Sequence, residues 1–507
     1  MDQQTYTSLV HSLEVDATIH PGRFRSKVIL LGSLAYLVLF GLLAAVALLG
    51  WLAFEAARAS ERTSSLIRLG LFALCMAPVF VVVLRMFFMR LPVPSGRVLK
   101  RADAPKLFGL VDKMRAKLKG PPIHYVLLDD AFNAAIFQRP RLGLFGWHTN
   151  YLILGLPYML SMTPQEMAAT VAHEYGHVCG NHGKASAWIY RQRQTFTALY
   201  EQISDGAGDN LVYGLLAGLL GKFMPYYSAH TFVLSRQNEY DADLTATELV
   251  GAKPNAAGLI RGELLGRWID EEFWPTLLRQ ADTRDKPAFL PFSAMGTAFK
   301  AGYGQWATSE TLARVWREKS DLHDTHPALR ERVEAIGEGC RLPACIDISA
   351  AEALLGGRTR MLIDEFDQRW WQEEKKEWRA RFQYASRSQA RLVELRRAPL
   401  AALKLSELQE LAVLSAEFEQ PDKVVLAHLL AQPGGPFPRA EYEYGCLLLA
   451  GRDDKGLGHL ANAAAADARL REKAARVGFS YLAKYKDEQQ AQQWWNKVVA
   501  GNEAQQA

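Results

Sequence analysis

His173-Glu174-Tyr175-Gly176-His177 spells HEYGH, an HExxH pattern whose reading decides how the rest of the chain is organised. On a helix, side chains four apart point the same way, so both imidazoles can hold one Zn²⁺. Glu174 can then sit beside an open coordination position and take a proton from an attacking water. The alternative is a pair of surface histidines on an amphipathic helix. The flanks argue for a helix, and for a buried one. Thr163-Pro164-Gln165-Glu166 reads as a helix start, with a threonine cap, proline at the first helical position and a capping-box glutamate. Met167, Ala168, Val171, Ala172, Tyr175 and Val178 follow at helical spacing with few polar breaks, and Gly180-Asn181 supplies a stop. Two histidines and a glutamate in a buried helix need partners, because unpaired buried polar groups are costly. A metal provides them.

A third ligand is expected downstream, within Ser235-Arg236-Gln237-Asn238-Glu239-Tyr240-Asp241-Ala242-Asp243. Glu239 and Asp243 are four apart, so both carboxylates lie on one helical face. Glu239 can complete a His₂Glu site with one position left for water. Asp243 can hydrogen-bond the far nitrogen of a ligating histidine, which fixes its tautomer and raises its basicity. The plain alternative is a solvated helix start, where acids favour the first turn. A structural zinc usually has four protein ligands and no adjacent base, so the intact Glu174 argues for a catalytic site over an inactive adaptor.

HEYGH followed by SRQNEYDAD resembles the gluzincin peptidases that include the HtpX-type heat-shock proteases and the CAAX prenyl endopeptidases. Thr325-His326-Pro327-Ala328-Leu329-Arg330-Glu331-Arg332-Val333 is similar to that family's histidine-proline segment with an arginine six residues on. Phe132-Asn133-Ala134-Ala135 resembles its asparagine-alanine segment, with Ala135 where the family usually has phenylalanine. The resemblance covers residues 90 to 340. It implies a zincin-type α+β catalytic domain binding one Zn²⁺ per chain through His173, His177 and Glu239, with Glu174 as the base. It also implies that His326 stabilises the oxyanion and that Arg332 and Asn133 support substrate or oxyanion. Implied substrates are unfolded or misassembled membrane proteins. A processing enzyme for one membrane-associated client is the second reading, although the prenyl-type relatives enclose their site in further spans that this chain lacks.

The 507 residues are 49% hydrophobic, and unevenly so. Val28 to Phe54 carries no charge and is long enough to cross a bilayer with tilt. Leu69 to Leu84 lies between Arg68 and Arg85 and extends towards Arg90 if Arg85 snorkels. Arg23, Arg25, Lys27, Arg85, Arg90, Arg97, Lys100, Arg101 and Lys106 lie outside the two stretches, against Arg58, Arg62 and Arg68 between them. This asymmetry predicts a multi-pass protein of the bacterial inner membrane whose termini and catalytic domain face the cytoplasm. Glu14 and Asp16 before the first stretch argue against a cleavable signal peptide. A formal net charge of +5, with no basic helix interleaved with aromatics, excludes a nucleic-acid partner and leaves membrane lipid as the partner of the basic segment.

The expected fold is mainly α with a small β-sheet, in four blocks. Residues 1–90 form an anchor with two transmembrane helices, and residues 91–345 the metallopeptidase domain. In the latter, a helix is expected near Ala104 to Leu118, and strands at Ile123 to Leu128 and Tyr151 to Leu154. The apolar stretch Leu211 to Leu234, broken by Lys222 and Pro225, reads as a buried or membrane-surface helical hairpin. Residues 346–398 read as a charged helical linker with one aromatic stripe. In residues 399–507, runs at Ala440–Leu449 and Val477–Ala491 repeat at a distance that resembles tetratricopeptide repeats, whose concave face can bind protein partners. Cys340 and Cys345 could form a second metal site or a disulfide, but without a nearby Cys/His pair they read as separate thiols.

Overall fold

The computed structural model describes residues 3–59, 67, 92–142, 145–179, 188–189, 192–193, 211–320 and 326–500. They form two compact units: Met1–Pro275 with Phe289–Trp371, and Thr276–Ala288 with Gln372–Ala507. The first unit begins with helices α1 (Gln3–Ile19) and α2 (Pro21–Arg58). Then come strand β1 (Arg97–Leu99), helix α3 (Pro105–Leu118), and strands β2 (Tyr125–Asp129), β3 (Ala134–Leu142) and β4 (Phe145–Gly155). The principal helices after the sheet are α4 (Pro164–Cys179), α5 (Leu211–Val250), α6 (Ala252–Trp268) and α7 (Leu329–Ala335). Helix α8 (Thr359–Arg396) contributes to both units.

The sheet order is β1-β2-β4-β3; β2 and β4 are parallel and the outer pairs antiparallel. Val126, Leu128, Ile136, Leu152 and Leu154 share the face that packs into the core with Leu107 and Val111 of α3 and Met167 and Val171 of α4. Strands β1 and β3 were not expected. Ala134–Leu142 lacks clean alternation and contains Pro140, which a strand tolerates at a sheet edge, and β3 is such an edge.

Helix α4 starts as its sequence predicts. Glu166 N–H donates to Thr163 Oγ1 (3.2 Å), and Thr163 N–H donates back to Glu166 Oε2 (2.8 Å). Helix α5 differs from expectation: Leu211 to Leu234 is no hairpin but the first half of one 40-residue helix that runs through Pro225. Beyond the proline, Ala229, Phe232, Val233 and Leu234 pack with Val10, Leu13, Ala17, Phe24 and Val28 of α1 and α2. That burial outweighs the one backbone hydrogen bond that proline removes.

Val28 to Phe54 lies within α2, whose foot is thus buried in protein and several of whose side chains lie outside the described set. Leu69 to Leu84 lies wholly outside the described residues. Among the described residues no helix is long and apolar enough to cross a membrane, so the two expected spans are not supported by them.

The second unit is helical. After α8 it contains α9 (Leu405–Phe418), α10 (Lys423–Leu430), α11 (Pro438–Ala450), α12 (Lys455–Ala466), α13 (Ala468–Tyr485) and α14 (Glu488–Ala500). Consecutive helices pack on one another. Gly445 of α11 is required at one crossing, where a Cβ would meet the Gly456 carbonyl of α12 at 2.9 Å. Trp494 of α14 donates its indole N–H to Ala475 O (3.1 Å).

Candidate metal centre

Helices α4 and α5 run antiparallel, and Gly176 lets them touch: a Cβ there would lie 3.1 Å from Ala242 Cα. Their approach sets His173 opposite Asp243 and His177 opposite Glu239. The two Nε2 atoms are 3.1 Å apart. Glu239 Oε1 is 3.3 Å from His177 Nε2, and Oε2 is 3.6 Å from His173 Nε2. On the far side of its ring, His173 Nδ1 meets Asp243 Oδ1 at 2.9 Å. His173 and Glu239 are 7% and 6% exposed and Asp243 is sealed completely.

This donor set suits a divalent cation. A tetrahedral Zn²⁺ with nitrogen and oxygen ligands at about 2.0–2.1 Å has donor–donor edges of about 3.3–3.4 Å. The three separations, 3.1, 3.3 and 3.6 Å, bracket that value. Two imidazoles facing Nε2 to Nε2 beside a carboxylate cannot satisfy one another as well as a cation would. Glu174 completes the cluster, since its carboxylate and both histidines place ligand atoms within 4.8 Å of one another. Its Oε2 accepts the Ile136 N–H of edge strand β3 at 3.1 Å. Glu239 is the carboxylate closer to both ring nitrogens, and Glu174 the one tied to the sheet.

The charges around the cluster are strongly coupled. Burial alone would lower His173, but Asp243 and Glu239 reverse this and raise it to about 10. Burial would raise Glu239 too, yet hydrogen bonds from His173, His177 and His326 hold its carboxyl well below the usual range. Asp243 is likewise brought to about 2, burial being outweighed chiefly by Arg332.

His326 lies at the rim with its side chain 55% exposed, and its Nδ1 is 2.8 Å from Glu239 Oε2. Arg332 of α7 is partly buried, and its Nε and Nη2 each donate to Asp243 at 2.8 Å. Nη2 also lies 3.5 Å from Glu239 Oε2. Asn133 lines the adjoining cavity, while its Oδ1 accepts the Ala134 N–H (2.8 Å). Thr325, before His326, lies outside the described residues.

Three groups near the site were not singled out from the sequence. Tyr158 lines the same cavity and shares a hydrogen bond with Thr170 (3.2 Å); burial pushes its phenol up to about 12. The capping Glu166 is also paired with Arg261 (2.9 and 3.0 Å). Tyr240, Ser320 and Glu331 form a third group that flanks the His326 segment. The cavity has a volume of about 390 Å³, with Glu174, Tyr158, Gly258, Gly262 and Arg332 among its walls. Cys179, Cys340, Cys345 and Cys446 are free thiols.

A paired HExxH helix and carboxylate helix of this geometry present the donor set of a divalent-cation site. Residues 144–339 match the model of Peptidase family M48. The chain is also similar to Protease HtpX of Psychrobacter sp. (strain PRwf-1), with 25% identity over 232 residues, covering 40% of this chain and 65% of that protein. The matched region therefore spans just under two thirds of the relative's length.

Proposed function

We propose that this chain is a zinc-dependent endopeptidase working at a membrane surface on unfolded or misassembled polypeptides. The observation that carries the reading is the convergence of His173, His177 and Glu239 beside Glu174. When bound, Zn²⁺ supplies Lewis acidity, polarising the scissile carbonyl and making water nucleophilic near neutral pH. His173, His177 and Glu239 are the residues that would hold it. Glu174, steadied by Ile136 N–H, takes the proton of the attacking water and passes it to the leaving amine. Asp243 fixes the His173 tautomer, and Arg332 holds Asp243 in place. With Nδ1 on Glu239, His326 offers its other ring nitrogen to the oxyanion.

The substrate class and membrane setting extend this reading. The similarity to Protease HtpX supports a protease, and the outward Leu30, Leu37 and Trp51 of α2 support a lipid contact for that helix. The basic residues flanking the two apolar stretches support a catalytic domain on the cytoplasmic side. The α9–α14 array is read as a tetratricopeptide-like module that recruits partners or clients. The test is metal dependence of the purified full chain. Chelation should abolish cleavage of casein, one equivalent of Zn²⁺ should restore it, and Glu239→Gln should need more Zn²⁺ for the same rate. Cleavage that survives complete removal of metal would refute the reading.

A further inference from the structure

The β3–β4 ribbon has two unlike faces. Ile136, Gln138, Asn150 and Leu152 are buried on the inner one. The alternate positions form the other one: register sets Phe137 against Tyr151 and Arg139 against Thr149, with Tyr151 and Thr149 themselves covered. Arg141 joins that face, donating from Nε to Thr149 Oγ1 (3.0 Å), and Tyr125 of β2 stacks on Tyr151 with centroids 5.1 Å apart. Farther out on the same face is Trp147, 73% exposed, the most exposed large apolar side chain among the described residues. No acidic residue occurs between Asp130 and Glu166. The exposed part of this face, Tyr125, Arg141 and Trp147, is thus aromatic and basic.

The direction in which the ribbon points is also defined. Strand β2 meets β4 only from Tyr151 onward, so Trp147 reaches about 13 Å beyond the start of that pairing. The C-terminal end of α4 lies at this end of the sheet, where Tyr175 donates its hydroxyl to Pro121 O (3.1 Å) and Gly120 faces Cys179. Helix α5, antiparallel to α4, sends its apolar first half off the same end. Helix α2 runs alongside it, from Arg25 at Asp241 to Gly32, whose carbonyl accepts from Gln192; Gln192 in turn accepts from Tyr227. Three elements leave the core in one direction, two apolar and one aromatic and basic.

We propose that Trp147, Arg139 and Arg141 form an interfacial rest that seats the catalytic unit on the headgroups of an anionic bilayer. The proposal builds on the membrane reading above. Tryptophan favours the headgroup level, and basic side chains meet the anionic surface. The rest would hold the metal centre, one helical turn from Cys179, close to the lipid and to segments emerging from it.

The test uses the full chain with phosphatidylcholine vesicles, with or without phosphatidylglycerol, and with brominated acyl chains that quench nearby tryptophan. Trp147 is one of 12 tryptophans, so the difference between wild type and Trp147→Phe isolates its emission. We expect brominated lipid to quench that difference, more strongly in anionic vesicles, and Arg141→Glu to weaken the effect several-fold. Both substitutions are at exposed positions, and cleavage of a soluble peptide should be unchanged in each. If the protein floats with vesicles but the Trp147 emission is not quenched, the rest is overturned while the membrane reading stands. If no vesicle association occurs, both fall. A Trp147 emission that responds to unfolded polypeptide and not to lipid would make this face a substrate surface, which also overturns the proposal.

Discussion

Helix α4 carries two buried ionic clusters, and they differ in kind. Near its start, Glu166 and Arg261 close on each other: Oε2 accepts from Thr163 N–H and Arg261 Nε, and Oε1 accepts from Arg261 Nη2. Arg261 Nη2 also donates to Ala344 O (2.8 Å), tying the cluster to a distant loop. Two turns on, His173, His177 and Glu239 point their donor atoms at one another across a space that would suit a divalent cation. In the first cluster both carboxylate oxygens are met by protein donors, only Arg261 Nη1 being buried without a partner, and the pair serves the fold. The second has the donor set of a cation site and, under the proposed function, serves chemistry. Both are buried, so what distinguishes them is that the second turns two ring nitrogens and a carboxylate onto one point.

The sharpest way to break this comparison is Glu174→Gln. It removes the base and leaves the three ligands. Peptide cleavage should fall about 10²–10⁴-fold while bound zinc, measured by elemental analysis, and melting temperature stay as in wild type. Unchanged cleavage would put the second cluster in the same structural category as the first. The converse substitution is Arg261→Met, which strands a buried carboxylate. It should cost about 3–5 kcal/mol of stability in denaturant titration. The fraction that remains folded should keep its zinc affinity. A purely local loss of activity without loss of stability would mean that Glu166 belongs to the reacting site.

Much of the second cluster was legible because helical periodicity maps i and i+4 onto one face. HEYGH and the Glu239–Asp243 pair could therefore be read as two faces awaiting each other. His326 came from resemblance, since nothing in its spacing ties it to Glu239, 87 residues away. Arg261 was invisible for the same reason, lying 95 residues from Glu166 in a helix whose pattern reads as ordinary core. The edge strand β3 was missed because Pro140 and mixed polarity hid its period. The expected hairpin at Leu211 to Leu234 failed because tertiary packing by α1 and α2 overrode a local breaker.

The third prediction concerns the link between the clusters' charges and pH. In the metal-free protein His173 is raised from 6.5 to about 10, so its contribution to stability is full below pH 6.5 and is lost as pH rises through about 10. Asp243 is lowered from 3.8 to about 2, so its contribution is full above pH 3.8 and is lost as pH falls through about 2. Metal-free protein should therefore lose stability between about pH 6.5 and 10, and the zinc form should not, because its imidazoles are already neutral. Asp243→Asn should remove much of that dependence and weaken zinc binding about 10–100-fold. Equal slopes for the two forms in a pH series of thermal melts would separate His173 from the metal.

The smallest expected effect probes how the site holds its most exposed member. Glu331 Oε2 accepts from Tyr240 Oη (3.1 Å) and Ser320 Oγ (2.9 Å), and Ser320 Oγ accepts Ala328 N–H (2.7 Å). Tyr240 adjoins Glu239 on α5, whereas Ser320 and Ala328 stand on either side of His326 in the chain, so one carboxylate ties the ligand helix to the His326 segment. Glu331→Gln keeps the shape but replaces charged hydrogen bonds with neutral ones, a change worth about 1 kcal/mol. If His326 acts in the transition state, kcat should drop about fivefold with KM and zinc content unchanged, since neither substrate affinity nor the three ligands depend on that tie. A drop confined to KM would assign His326 to substrate binding. No change at all would mean that its bond to Glu239 alone suffices to place it.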